Sequence, residues 1–354
     1  MALALTDDTE HTAPKNASTA APNPGRAWSI AVASAVVLIS VVLGVIAFVV
    51  VWGRDSGGGV SQPQSLIPKP YDALRSEQYL RSICDLGPRP SGSPAMARQQ
   101  ALLVEFFENA GGRVTLQPFD VRHPETGQPL TLNNLVAQWH PERTKRFLLC
   151  THYDTRPFPD RDPDNPMGRF VGANDGASGV AAMMEMSHHL GSLPADVGVD
   201  MVMFDGEELV YRERRDNYFL GSTHFARAYA ADPPAVSYRA GILFDMIGDR
   251  ELRIYYERNS WNYARDLCKS VFETADNLGV DAFVARVRHE VRDDHLPLNE
   301  IAKIPTIDLI DFDYPRPGIG VQQYWHTTKD IPENCSGHSI ATVVYVVHQW
   351  LMKQ

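Results

Sequence analysis

The sequence predicts an α/β domain in which a mostly parallel central sheet is flanked by helices, preceded by one transmembrane helix. Three observations carry that prediction. From residue 71 onward, short apolar strand-like segments alternate with helical ones, the pattern of a sheet covered on both faces. Several of those strands release ionisable residues at their carboxyl ends, where open α/β sheets place their chemistry. Upstream, Ile30 to Val51 forms an apolar run with no charge, two serines and one glycine.

That run, IAVASAVVLISVVLGVIAFVVV, is long enough to span a membrane, since about 20 helical residues cross the hydrocarbon core. Trp28 and Trp52 mark its interfaces, and Arg26 and Arg54 its polar limits. A cleaved signal peptide would carry a shorter apolar core and small residues at a cleavage site, so a single-pass anchor over residues 28–52 is expected. Basic residues flank both ends (Lys15 and Arg26 before; Arg54, Lys69 and Arg75 after), so the charge count does not orient the span. Because the bulk of the chain follows it, the expectation is a cytoplasmic tail and an extracytoplasmic catalytic domain, whether periplasmic, extracellular or lumenal. Residues 1–27, rich in Ala, Pro, Asn and Thr, read as a disordered tail. Residues 53–70, with SGGGVSQPQSLIPKP, read as a flexible tether. The catalytic domain is then 71–354.

Within it, residues 72–86 and 94–110 read as helices separated by GPRPSGSP. Strands are expected at Arg113–Leu116, Asn134–Trp139 and Phe147–Thr151, then a helix over 179–190. VGVDMVMF, ending at Phe204, and GILF at 241–244 are further strands. A helix over 261–278, a strand in IPTIDLI at 304–310 and a closing helix in SIATVVYVVHQWLMK complete the series. The core is ample: of 354 residues, 44% are hydrophobic and 21% charged. A net charge of −10 disfavours nucleic acid as a partner. Cysteines 84, 150, 268 and 335 lack the paired spacing of a structural zinc site, and neither GxSxG nor HExxH occurs. DRDPDNP, at 160–166, lacks the glycine and glutamate of a calcium loop and reads as a solvated loop near the site.

The residues that carry chemistry are His152 and Asp154 in THYDT, Asp175 in GANDGASG, Glu207 and Glu208 in FDGEEL, Asp245 in LFDMIGD, and His326 in YWHTT. Imidazole and carboxylate without thiolate is the ligand set of catalytic zinc. Glu207 and Glu208 cannot point the same way from an extended backbone, which would separate a metal ligand from a general base. Asp154 is spaced to accept a hydrogen bond from a ligand imidazole of His152. Any one of these residues alone would more often be an ordinary polar group than a ligand. Their combination at strand ends shifts the reading toward a site.

In order, HYDT, GANDGASG, FDGEE, LFDMIGD, DDHLPL and YWHT resemble the zinc metallopeptidase family that contains aminopeptidases and the glutaminyl-peptide cyclotransferases. The resemblance covers roughly residues 72–354. It implies the α/β fold of the zinc aminopeptidases, a phosphorylase/hydrolase-like architecture, acting on peptide or protein N-termini. It implies Asp175, Glu208 and His326 as zinc ligands and Glu207 as general acid/base. One zinc ion is implied for a cyclotransferase and two for an aminopeptidase, with His152 and Asp245 holding the second and Asp175 bridging. Three features are similar to the cyclotransferases: the long join between GEE and Gly221-Ser222, DDHLP with Asp293 placed to form a catalytic hydrogen-bond network with Asp245, and Trp325 as an aromatic wall of the substrate pocket. Three positions depart from them: Glu213 stands where a pocket tryptophan is expected, Asp308 where a histidine is, and GIGVQQ lacks an expected aromatic. The expectation is a membrane-anchored glutaminyl-peptide cyclotransferase, with a zinc aminopeptidase as the alternative. A non-enzymatic binding domain on a dead peptidase is disfavoured by the intact ligand positions. Oligomeric state is left open.

Overall fold

The computed structural model describes residues 67–315 and 324–354. The expected tail (1–27), transmembrane helix (28–52) and most of the tether (53–70) lie outside the described residues, as does GIGVQQ. Among the described residues no helix is long and apolar enough to cross a membrane.

Two helices open the domain, α1 (Ala73–Asp85) and α2 (Pro94–Asn109). Each starts on a capping side chain: Asp72 accepts from the amides of Leu74 and Arg75, and Ser93 from Met96, with Pro94 in the first turn. A hairpin follows, β1 (Arg113–Arg122) and β2 (Pro129–Trp139). Then come β3 (Lys145–His152), α3 (Ala177–Ser187), β4 (Val197–Phe204), α4 (Leu220–Ala231) and β5 (Tyr238–Asp245). The chain continues through β6 (Ile254–Tyr256), α5 (Arg258–Tyr263), α6 (Arg265–Asn277), β7 (Phe283–Val287), α7 (His295–Glu300), β8 (Thr306–Ile310) and α8 (Gly337–Leu351).

Among the described residues six strands form the main sheet in the order β1-β2-β4-β3-β5-β8. The sheet is mostly parallel, three of its five pairings being so, with one strand reversed. β4, β3, β5 and β8 are parallel neighbours, but β2 runs antiparallel to both β1 and β4. The six-residue join between β1 and β2 is the reason, since a parallel pair needs a crossover of a dozen or more residues. β1 also runs on past Leu116 through Pro118, which an edge strand tolerates because it has an unpaired side. The helix expected over 261–278 is two: Glu257 caps α5 through the amides of Asn259 and Ser260, and Ala264, at φ −140°, breaks the helix before α6. The small β6–β7 pair, α4 and α7 were not foreseen.

The parallel strands are buried on both faces, and their side chains alternate between two cores. Phe147, Leu149, Met201, Met203, Ile242 and Phe244 face the larger core, beneath α1, α3 and α8. Leu148, Cys150, Val202, Phe204 and Leu243 face the smaller one, beneath α4 and α7. From β3 the chain steps out to β4 and then crosses back to β5, so strand order reverses at β3. Open α/β sheets bind ligands at such a switch point, beyond the carboxyl ends of the strands.

Candidate active site

His152 is the last residue of β3 and Asp245 the last of β5, while Glu207 and Glu208 follow β4 after a turn at Gly206. Gly206 has φ +79°, and a Cβ there would stand 2.7 Å from Leu132 Cδ1. Asp154 holds this turn: its carboxylate accepts from the Glu207 amide at 3.3 Å and the Glu208 amide at 3.0 Å. That differs from the expected bond to His152, whose Nδ1 lies 3.7 Å from Asp154 and has no hydrogen-bond partner. Asp175 sits in the loop ahead of α3, where Asp330 accepts from the amides of Asn174 and Asp175. At Gly176 (φ +94°) a Cβ would meet the Asp154 carbonyl at 2.8 Å and the His152 ring at 3.1 Å. Glycine there lets the β3 end and the Asp175 loop approach each other.

Two trios result. Asp175, Glu208 and His326 converge, with His326 Nε2 3.4 Å from Asp175 Oδ2 and 3.3 Å from Glu208 Oε1. These separations match the edge of a tetrahedral zinc site, about 3.4 Å for ligands at 2.0–2.1 Å. Asp175 Oδ2, Glu208 Oε2 and His326 Nε2 are buried without hydrogen-bond partners. Buried polar atoms are seldom left so, and a cation among them would satisfy all three. The residues present therefore fit a zinc ion. The second trio is His152, Asp175 and Asp245, with His152 Nε2 3.2 Å from Asp175 and 3.3 Å from Asp245, the latter a hydrogen bond.

The electrostatics separate the paired glutamates. Burial, then the neighbouring Glu208 charge, pushes the Glu207 carboxyl well above its ordinary range. Burial acts on Glu208 too, but Arg156 and His326 outweigh it and hold that carboxylate ionised. His326 rises to about 9 because Glu208 and Asp160 outweigh its burial. The two adjacent carboxyls are thus set apart: Glu208 is held as the anion, and Glu207 is shifted toward the range in which a carboxyl can both take and give a proton.

Asp175, Glu207, Glu208, Asp245 and His326 open on one cavity of about 390 Å³, lined also by Asp293, Trp325, Phe312, Glu213 and Glu290. Trp325 packs edge-on against Phe312, their centroids 5.1 Å apart, and the Arg161 guanidinium lies 4.0 Å over the indole. Arg161 in turn donates to Glu213 at 2.9 Å. The position where a tryptophan was expected therefore carries an ion pair that backs Trp325. Behind the cavity, Asp293, His295 and Asp308 bring ligand atoms within 4.8 Å of one another, and neither Asp308 oxygen has a partner.

Sequence reasoning missed Arg156 and Asp160. Arg156 donates to Asp160 at 2.8 Å and to Glu208 at 3.2 Å, and Asp160 lies 3.2 Å from His326 Nδ1. Asp160 begins the loop read as solvated, yet Asp162 in that loop is buried and accepts from the Thr328 amide. The available signal was proximity: Arg156 stands two residues beyond Asp154.

The sequence model of peptidase family M28 matches residues 134–351. The glutaminyl-peptide cyclotransferase of Bothrops jararaca is 26% identical over 254 residues, an alignment spanning 63% of this chain and 66% of the snake protein, just under two thirds. The crystal structure of Fimbriiglobus ruber glutaminyl cyclase superposes with a TM-score of 0.76 at 36% identity, covering 80% of this chain and 96% of that one. A Zn-dependent exopeptidase from Parabacteroides distasonis superposes with a TM-score of 0.74 at 28% identity, covering 81% and 100%.

Proposed function

This chain belongs to peptidase family M28, and from that premise we propose that it is a zinc-dependent glutaminyl-peptide cyclotransferase, converting N-terminal glutamine to pyroglutamate with release of ammonia. Asp175, Glu208 and His326 are the zinc ligands of this reading. Its single metal is supported by one observation above all: His152 Nε2 is already hydrogen-bonded to Asp245, whereas His326 Nε2 is not hydrogen-bonded at all. Likeness to glutaminyl cyclases from a snake and from a bacterium supports the reaction.

In the reaction the substrate's α-amino nitrogen attacks its γ-carboxamide carbon. A new C–N bond closes the ring, the bond to the amide nitrogen breaks, and ammonia leaves. Glu207 takes the proton from the attacking amine and delivers it to the departing nitrogen, returning to its starting state. Zinc, when bound by the three ligands, supplies Lewis-acid polarisation of the γ-carbonyl. Asp245 and Asp293, both lining the cavity, accept hydrogen bonds from the amine and orient it toward the carbon. Trp325, held by Phe312 and Arg161, forms the wall against which the glutamine side chain stacks.

The second reading is an aminopeptidase with two zinc ions. It is favoured by the shared Asp175 between the two trios and by the exopeptidase neighbour. The test is to incubate the zinc-loaded chain with a Gln-initiated peptide and a Leu-initiated control and follow both by mass spectrometry. Loss of ammonia from the Gln peptide alone is expected; release of a free N-terminal residue would establish the aminopeptidase instead. The reading extends to placement: residues 28–52 anchor the chain in a membrane, with 71–354 on the extracytoplasmic side. Protease accessibility of the domain in intact cells tests that.

A further inference from the structure

The cavity that holds the chemistry does not end at its mouth. Glu213, Tyr218, Phe219 and Arg292 line it and also line a second, larger groove of about 810 Å³. A peptide whose first residue fills the inner cavity must continue past these four side chains. The groove it enters presents Arg214, Arg215 and Arg227 in addition to Arg292. All four are exposed, and among the described residues none has a carboxylate within ion-pair distance. The acids of the groove, in contrast, are engaged. Asp216 accepts from the amides of Tyr211 and Arg212, Asp120 from the Thr131 hydroxyl, and Glu213 from Arg161.

In a chain of net charge −10, four arginines without a carboxylate partner face three groove acids, of which Glu213 is already offset by Arg161, and this leaves a net cationic groove beside the catalytic mouth. We infer that this groove receives the residues following the N-terminal glutamine, and that the preferred substrates are acidic there, carrying Asp or Glu from about the third residue onward. The inference rests on the cyclotransferase reading for the position of the first residue. The net charge alone would favour basic peptides, so the two views predict opposite preferences.

The experiment uses the zinc-loaded full-length chain with three peptides that share Gln-Gly and continue in Glu-Glu-Glu, Ser-Ser-Ser or Lys-Lys-Lys. At low ionic strength kcat/KM is expected to run acidic over neutral over basic, with about tenfold between the extremes, as a few exposed charge pairs allow. In 1 M salt the spread should collapse, since screening then acts within about 3 Å. Combining R214E, R215E and R227E should invert the order. All three peptides are measured on the same protein preparation, so a partly misfolded variant lowers every rate and leaves their ratios informative. The same peptides, labelled at the C-terminus, are titrated against the Glu207→Gln protein by fluorescence anisotropy, which reads binding without turnover. Tighter binding of the acidic peptide, with no ammonia released from any peptide by the unsubstituted zinc-loaded chain, would sustain the groove and sink the cyclotransferase reading. Equal or basic-favouring affinities, or a preference untouched by the three substitutions, would overturn the groove whatever the chemistry.

Discussion

The same parallel strands carry buried charge toward both of their ends, and the two ends treat it differently. Toward the amino ends, Arg146 of β3, Asp200 of β4 and Tyr238 of β5 form a closed network. Asp200 accepts from Arg146, from the Tyr238 hydroxyl and from Gln138 at 3.2 Å, while Arg146 also donates to the His140 carbonyl at 2.8 Å. At the carboxyl ends, Asp175, Glu208, His326, Asp293 and Asp308 all keep buried atoms without partners. Burial does not distinguish the two: Asp200 is 2% exposed and Glu208 is 4%. Satisfaction does. A buried polar atom without a partner costs free energy, so a fold retains a cluster of them only where something outside the chain completes it. The amino end is finished by the protein itself, and the carboxyl end is left open, as the proposed metal and substrate require.

The comparison breaks most sharply on metal removal. Dialysis against a chelator should abolish turnover and lower the thermal midpoint, because a ligand bound only to the folded state stabilises it. Zinc should restore both, and metal analysis of the restored protein should give one ion per chain. Two tightly held ions would move the His152 trio from support to ligation. Next in size is Glu207→Gln, which should cost roughly 10²–10⁴-fold in kcat. Its sign for stability is opposite to that of an ordinary buried substitution. A carboxyl raised in the folded state weakens folding above its unfolded value near 4.5, so in the metal-free protein at pH 7 the glutamine variant should melt at the same temperature or higher. A variant that retained turnover would remove Glu207 from the mechanism, and one that unfolded would erase the contrast between the two ends.

How much of this was legible in the sequence follows the same division. The residues at the strand ends stand out because an apolar run that stops on His152, or on Asp205-Gly206-Glu207-Glu208, has no structural need for those groups. Their order along the chain, together with DDHLP and YWH, pointed to the family. Partnership was not legible. Asp154 reads as a partner of His152 by spacing, yet the turn at Gly206 delivers the two glutamate amides to it instead. Arg156 and Asp160 lie in a Pro-rich loop without periodicity, so beyond the nearness of Arg156 to Asp154 nothing local showed that the loop folds back onto Glu208 and His326. The antiparallel hairpin was hidden because strand periodicity is the same in parallel and antiparallel pairs; only the length of the connection tells them apart.

At the amino end the expected effects are on stability and not on turnover. Asp200→Ala leaves Arg146 buried without its counter-charge, and removing one partner of a buried pair costs about 3–5 kcal/mol. Urea unfolding should show that loss, while kcat/KM measured on the folded fraction stays within about twofold of the parent, a bound that follows from the separation of the sites. A large fall in kcat with little loss of stability would mean that the two ends are coupled through the strands.

The smallest effect sharpens the comparison within a single helix. The loop before α3 carries the unsatisfied Asp175, and its last turn carries Glu185, which is fully buried and fully engaged. Glu185 accepts from Arg75 Nε and Nη2 at 2.6 Å each, from the Asp72 amide at 3.1 Å, and lies 3.3 Å from His189 Nε2. Burial alone would raise this carboxyl, but His189 and Arg75 outweigh it and draw it down to about 2. An acid depressed in the folded state adds stability that is present above its unfolded value near 4.5 and is lost as pH falls toward 2. Glu185→Gln keeps the shape and removes the charge. At pH 7 it should cost about 2 kcal/mol, discounted because Arg75 is partly exposed to screening solvent. The gap to the parent protein should narrow as urea unfolding is repeated at pH 4 and then pH 3. A gap that stays constant would show that Glu185 acts through packing and hydrogen-bond geometry, and that the satisfied end of the molecule owes its stability to shape more than to charge.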